Sequence, residues 1–164
     1  MKLNLESLFN NEGQSISIDH TLVFGDVNDL PGTVSGDAQV RGEIKNTAGI
    51  VTFKARVTFN LLTVCDRCAK DITLPVDMSF EHILVASLNE EDNDDFILID
   101  ASCFDCDELI RDDVILELPP KILCSDDCKG LCPKCGKDLN EGNCDCKKDI
   151  DPRLEILKQL IDND

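Results

Sequence analysis

The chain has 164 residues, 33 of them acidic and 16 basic, giving a formal net charge of −17; it contains ten cysteines and neither tryptophan nor tyrosine. That length suits one domain with a small appendage, and its core must come from Leu, Ile, Val, Ala and Phe. So large an acidic excess disfavours binding to nucleic acid through phosphate contacts, or to an anionic membrane, and favours a basic protein partner.

In chain order, "MKLNL" alternates like a short strand, "ESLFNNEG" reads as one or two helical turns ending at Gly13, and "SISIDHTLVF" as a strand. The N-terminus lacks the apolar run of a secretory signal, and no segment reaches the ~20 apolar residues that cross a bilayer, so a cytoplasmic protein is expected. In that reducing compartment ten cysteines point to metal ligation, buried thiols or redox chemistry rather than to a disulfide framework.

"GDVNDLPG" supplies turn chemistry, after which Val34, Ala38, Val40 and Ile44 share one face of an extended segment broken by "KNTAG". The clearest strand follows: Val51, Phe53, Ala55, Val57, Phe59 and Leu61 alternate with polar residues. Ile72, Leu74, Val76, Met78 and Phe80 alternate in the same way beyond "CDRCAKD", so the two runs are expected to form an antiparallel pair. "NEEDNDD", residues 89–95, reads as a solvated acidic loop and "FILID" as a short strand. "DELIRDDVILELPP" places Leu109, Ile110, Val114 and Leu118 at helical spacing, with a tail equally compatible with a strand. A closing helix over "DIDPRLEILKQLIDND" is expected, capped by Asp151 and striped by Leu154, Leu157, Leu160 and Ile161.

The sequence therefore predicts an α+β fold, mainly an antiparallel sheet with a few helices and a C-terminal zinc-knuckle segment. Its expected divisions are a β-rich core over 1–122, a cysteine-rich zinc-binding segment over 123–148, and a helix over 149–164 that packs on the core or a partner.

"LCSDDCKGLCPKCGKDLNEGNCDC" holds six of the ten cysteines. Cys132 and Cys135, followed by Gly136, have the spacing of a zinc knuckle, in which two thiolates chelate one ion and the glycine takes the positive φ of the tight turn. Cys124, Cys128, Cys144 and Cys146 compete for the other two positions of a tetrahedral site. Of the closely spaced "CDC" pair, either Cys144 or Cys146 is expected to bind rather than both. Zinc is the expected cofactor; reduced buried thiols and an iron–sulfur cluster are the alternatives. A closed site of four thiolates would be structural, because it leaves no position for water.

Cys65 and Cys68 of "CDRC" form a candidate second site, against the alternatives of turn thiols or a redox pair beside Arg67. Cys103 and Cys106 of "CFDC" repeat the spacing and are candidates to complete it. His20 and His82 are expected on strand surfaces rather than on a metal. No phosphate-cradling loop, nucleophile elbow or Cys–His arrangement suggests an enzyme or a small-molecule substrate.

The ordered landmarks "CDRC", "ELIRDDVILELP", "GLCPKCGKDLN", "CDC" and "DPRLEILKQL" resemble the YceD family, the large ribosomal RNA subunit accumulation proteins. The resemblance implies a non-enzymatic factor for the accumulation or processing of large-subunit ribosomal RNA, with ribosome assembly or RNA-processing proteins as partners. Because members of that family differ in their cysteines, it also implies that zinc is a scaffold rather than the activity. Together with the charge, this points to an acidic surface that includes Asp92, Asp94 and Asp95 and docks a basic protein, so that RNA is contacted indirectly. The competing class is a zinc-dependent thiol redox switch or chaperone, which would need accessible cysteines and oxidant-driven metal loss.

Overall fold

A computed structural model describes residues 1–24, 30–87 and 96–146. The acidic run 89–95 and the expected helix over 149–164 lie outside the described residues. The chain divides into two compact units, one formed by Met1–Val64 with Asp71–Ile122, the other by Cys65–Lys70 with the residues from Leu123 onward. The short turn 65–70 thus belongs with the C-terminal unit, a grouping that the contiguous divisions drawn from the sequence do not contain.

The first unit is built on a five-stranded sheet. After β1 (Lys2–Leu3) and α1 (Glu6–Asn10) come β2 (Ser15–Leu22), β3 (Gly32–Thr47), β4 (Ile50–Val64), β5 (Asp71–Val85) and β6 (Phe96–Leu98), followed by β7 (Phe104–Asp105) and α2 (Cys106–Glu117). The sheet order is β2-β3-β4-β5-β6, and β1 pairs separately with β7. All neighbours in the sheet run antiparallel except the short β6, which lies parallel to β5.

The β3–β4 hairpin is long because both strands hold a period of two, and it closes on two residues, Ala48 and Gly49, with φ of 53° and 84°. Positive φ at both central positions matches the turn to the twist of the strands. Val51, Phe53, Ala55, Val57, Phe59 and Leu61 of β4 are all buried, as their alternation predicts. In β3 the register shifts between Ser35, opposite Asn60, and Gln39, opposite Thr58. Three residues there, 36–38, lie opposite the single residue Phe59 on β4, so the bulge inserts two extra residues and Val34 stays on the face of Ala38, Val40 and Ile44.

One face of this sheet carries the core. Leu5 and Leu8 from the α1 region and Cys106, Ile110 and Val114 from α2 pack in the same buried cluster as the inward residues of β2, β3 and β4. Helix α2 starts where Asp105 accepts a hydrogen bond from the Asp107 N–H, with Asp107 and Glu108 in the first turn, where the helix dipole favours acid. It stays helical to Glu117, which resolves the ambiguous "ILELPP" tail, and Pro119 and Pro120 follow its end.

Asn46 is buried to 1% and is the hub that ties α1 to the hairpin. Its amide donates to the carbonyls of Leu8 (2.7 Å) and Phe9 (3.3 Å), and its Oδ1 accepts from the Gly49 N–H (3.0 Å). Those carbonyls lie in the last turn of α1, where a helix has no partners of its own for them.

Both histidines join the sheet to α2. His20 Nε2 on β2 lies 2.6 Å from Asp107 Oδ1, and His82 Nε2 on β5 lies 2.8 Å from Asp113 Oδ2. They lie on strands, but half-buried on the side that faces α2 rather than on an open surface, and their carboxylate partners are 87 and 31 residues away, a pairing with no local signal in the sequence.

Candidate metal centres

The second unit contains two copies of one backbone turn. In "CDRCAK" the Cys65 N–H donates to the Lys70 carbonyl (2.8 Å) and the Ala69 N–H to the Cys65 carbonyl (2.9 Å); Ala69 has φ of 57°. In "CPKCGK" the Cys132 N–H donates to the Lys137 carbonyl (2.9 Å) and the Gly136 N–H to the Cys132 carbonyl (2.9 Å); Gly136 has φ of 71°. Both turns hold two thiols at a three-residue offset in the manner of a metal knuckle. Gly136 takes the left-handed conformation freely, whereas Ala69 does so against a steric cost of about 1–2 kcal/mol.

Each turn is completed by a second pair of cysteines. Cys65, Cys68, Cys124 and Cys128 form one group and Cys132, Cys135, Cys144 and Cys146 another, with all sulfurs in a group within 4.8 Å of one another. In the first group Cys65 Sγ is 3.7 Å from Cys128 Sγ, and Cys68 Sγ is 3.6 Å from Cys124 Sγ. A tetrahedral zinc site with Zn–S of 2.3 Å has sulfurs roughly 3.8 Å apart, whereas a disulfide needs about 2.05 Å, so the spacing suits a metal.

Donors surround the first group. The Cys124 N–H points at Cys65 Sγ (3.4 Å), Asn140 Nδ2 at Cys128 Sγ (3.5 Å), and Arg67 Nη1 donates to the Cys128 carbonyl (2.8 Å). Burial opposes ionisation of Cys65, but N–H groups of Cys124, Arg67 and Cys68 outweigh it and draw the thiol down to about 6. Cys132 also falls to about 6, under the N–H groups of Cys135 and Lys134. Each group also has a thiol that moves the other way. Cys68 is pushed to about 12 by burial and its sulfur neighbours despite a Lys70 N–H, and Cys146 to about 12 by its hydrogen bond with Cys135 and by burial. Four clustered sulfurs cannot all ionise without a cation, and a divalent metal would take the place of the retained protons.

This division departs from a single site chosen among the six C-terminal cysteines. Cys124 and Cys128 go with Cys65 and Cys68, while both thiols of "CDC" go with Cys132 and Cys135. Positions i and i+2 of an extended segment point to the same side, so both thiols of "CDC" can face one ion, and the expectation that only one of them binds is corrected. Cys103 and Cys106 lie in neither four-cysteine group. Cys103 is exposed, and Cys106 is buried in the sheet core with its thiol pushed up by burial to about 11. His20, Cys106 and Asp107 also come within 4.8 Å of one another. There His20 and Asp107 bond to each other and Cys106 Sγ donates to the Met1 carbonyl (3.3 Å), which makes the group a tie between β2 and α2.

Fold and site define a class: an acidic antiparallel-sheet protein with a cysteine-rich unit able to hold metal in two four-thiolate clusters. Among the described residues no helix is long and apolar enough to cross a membrane. The chain belongs to the YceD family, whose model, described as large ribosomal RNA subunit accumulation protein YceD, matches residues 53–161. It is 27% identical to the uncharacterized protein YlbN of Bacillus subtilis over all of this chain and 98% of that protein. Over 45 residues, 27% of this chain and 14% of the relative, it is 44% identical to the large ribosomal RNA subunit accumulation protein YCED homolog 1, chloroplastic, of Arabidopsis thaliana. An uncharacterized Mycobacterium tuberculosis protein, Rv2926c, is 29% identical over 59% of this chain and 49% of its own length. No solved structure matches the chain. Membership ties the chain to a family named for ribosomal RNA accumulation rather than for a catalysed reaction.

Proposed function

We propose that this protein is a non-enzymatic, cytoplasmic factor for the accumulation of large-subunit ribosomal RNA. It acts during large-subunit assembly by binding a basic ribosomal or RNA-processing protein, so that RNA is affected through that partner. Membership of the YceD family is the observation that carries the ribosomal part, and the Arabidopsis relative named for the same role supports it.

Charge supports the choice of partner. At −17 the chain repels phosphate backbones and attracts Lys- and Arg-rich surfaces. Helix α2 carries exposed Glu108, Asp112 and Leu116 at four-residue spacing along one side, with exposed Glu117 next to Leu116, which is 83% exposed. The acidic run with Asp92, Asp94 and Asp95 extends the same chemistry along the sequence. Zinc is the proposed cofactor at both four-cysteine groups, where it is structural: all four positions are thiolates, so no coordination site is left for a water. It clasps residues 123–146, which are short and polar and have few apolar side chains from which to build a core.

The test is affinity capture of the tagged chain from growing cells. Large-subunit proteins should be recovered at low salt, lost at high salt, and lost when Glu108→Lys and Asp112→Lys are combined. Recovery of naked ribosomal RNA without a protein partner would overturn the proposal.

A further inference from the structure

The two cysteine groups share a knuckle but differ in burial and in connectivity. In the first, Cys65, Cys68 and Cys128 are 2%, 7% and 2% exposed and only Cys124 lies in the open; in the second only Cys132, at 5%, is buried. Cys135 and Cys146 are exposed and Cys144 is half-buried. The first group has side-chain support from Asn140 and Arg67, and the Leu131 N–H donates to the Arg67 carbonyl (3.1 Å), fixing the residue between its two knuckle cysteines. At the second group Lys137 Nζ donates to the Asn143 carbonyl (2.9 Å), a contact within the ligand segment itself.

Connectivity separates them further. The first group joins positions 56 to 63 residues apart, so opening it releases a long loop of the fold. The second draws all four ligands from residues 132–146, so one thiolate can leave without disturbing more than a short segment.

We infer that these are two zinc centres of unequal permanence: Cys65, Cys68, Cys124 and Cys128 retain their ion, whereas Cys132, Cys135, Cys144 and Cys146 form an exchangeable site. This rests on the zinc assignment made under the proposed function. In the exchange, a donor atom of an external ligand bonds to zinc as one exposed cysteine thiolate, Cys135 or Cys146, departs and takes a proton from water. No electrons are transferred, and repetition at the other ligands moves the ion out. Supporting hydrogen bonds are worth about 10- to 100-fold in metal affinity, which sets the difference expected between the centres.

The experiment uses the full chain loaded with zinc and challenged with the chromogenic chelator 4-(2-pyridylazo)resorcinol. Elemental analysis should give two zinc ions per chain, and release should be biphasic, half of the zinc leaving about 10- to 100-fold faster. Thiol alkylation after the fast phase should mark Cys132, Cys135, Cys144 and Cys146 and spare Cys65, Cys68 and Cys128. Cys146→Ser should remove the fast phase and keep the slow one. Two zinc ions released at one rate, or alkylation of Cys65 and Cys68 in the fast phase, would overturn the inference while leaving the zinc assignment intact. Fewer than two zinc ions in the loaded chain would overturn the zinc assignment itself.

Discussion

Breaking the first cysteine group should destabilise the sheet, although none of its ligands lies in a strand. A metal bridge between Cys68 and Cys124 closes a loop with a separation of 56 residues, and that loop contains β5, β6, β7 and α2. Restricting the unfolded chain by a cross-link of this span contributes about 4 kcal/mol in the chain-entropy model. For a protein of this size each kcal/mol moves the melting temperature by about 2–4 °C, so the Cys68→Ser, Cys124→Ser double variant should melt about 8–16 °C lower. Thermal unfolding followed by far-ultraviolet circular dichroism, which reports the sheet, measures it with zinc in excess. Cys144→Ser is the internal control: the ring it opens contains no sheet residue, so the sheet transition should stay in place. A double variant that melts within about 2 °C of the parent would refute the cross-link reasoning.

Three further outcomes follow from particular residues. Asn46→Ala removes two bonds to the end of α1 and one to the hairpin turn, and should cost about 2–4 kcal/mol, read as a lower urea midpoint at unchanged slope; no shift would contradict its role as the hub. Ala69→Gly relieves the left-handed conformation in the first knuckle and should stabilise the zinc-loaded protein by about 1 kcal/mol, whereas a loss would show that the Ala69 side chain makes contacts worth more than the strain. Burial raises the Asp113 carboxyl above its ordinary 3.8, with His82 pulling the other way. The folded chain therefore holds this proton to higher pH than the unfolded one, and the group subtracts stability as pH rises from 3.8 through its folded value. Asp113→Asn should flatten the stability curve in that window; an unchanged slope there would contradict the assignment.

Much of the sheet is legible in the sequence because its long strands keep one side in water. Val51 to Leu61 alternates without a break, and the β3 bulge preserves the pattern by inserting an even number of residues. The parallel placement of β6 is not legible, since three residues carry no direction. Cysteine spacing shows which thiols chelate as a pair, and "CPKCGK" announces its turn through Gly136. "CDRCAK" makes the same turn with Ala69 in the left-handed region, a position where composition gives no warning. Which pairs share a cluster depends on contacts between residues 65–68 and 124–128, more than 50 positions apart, and local periodicity carries no information about them. The ties from His20 to Asp107 and from His82 to Asp113 are hidden for the same reason.

Depletion of the protein followed by profiling of ribosomal particles tests the proposed role most directly. Loss of the chain should lower mature large-subunit ribosomal RNA and accumulate large-subunit precursors, while small subunits continue to form. Unchanged large-subunit particles and precursor levels after depletion would contradict it.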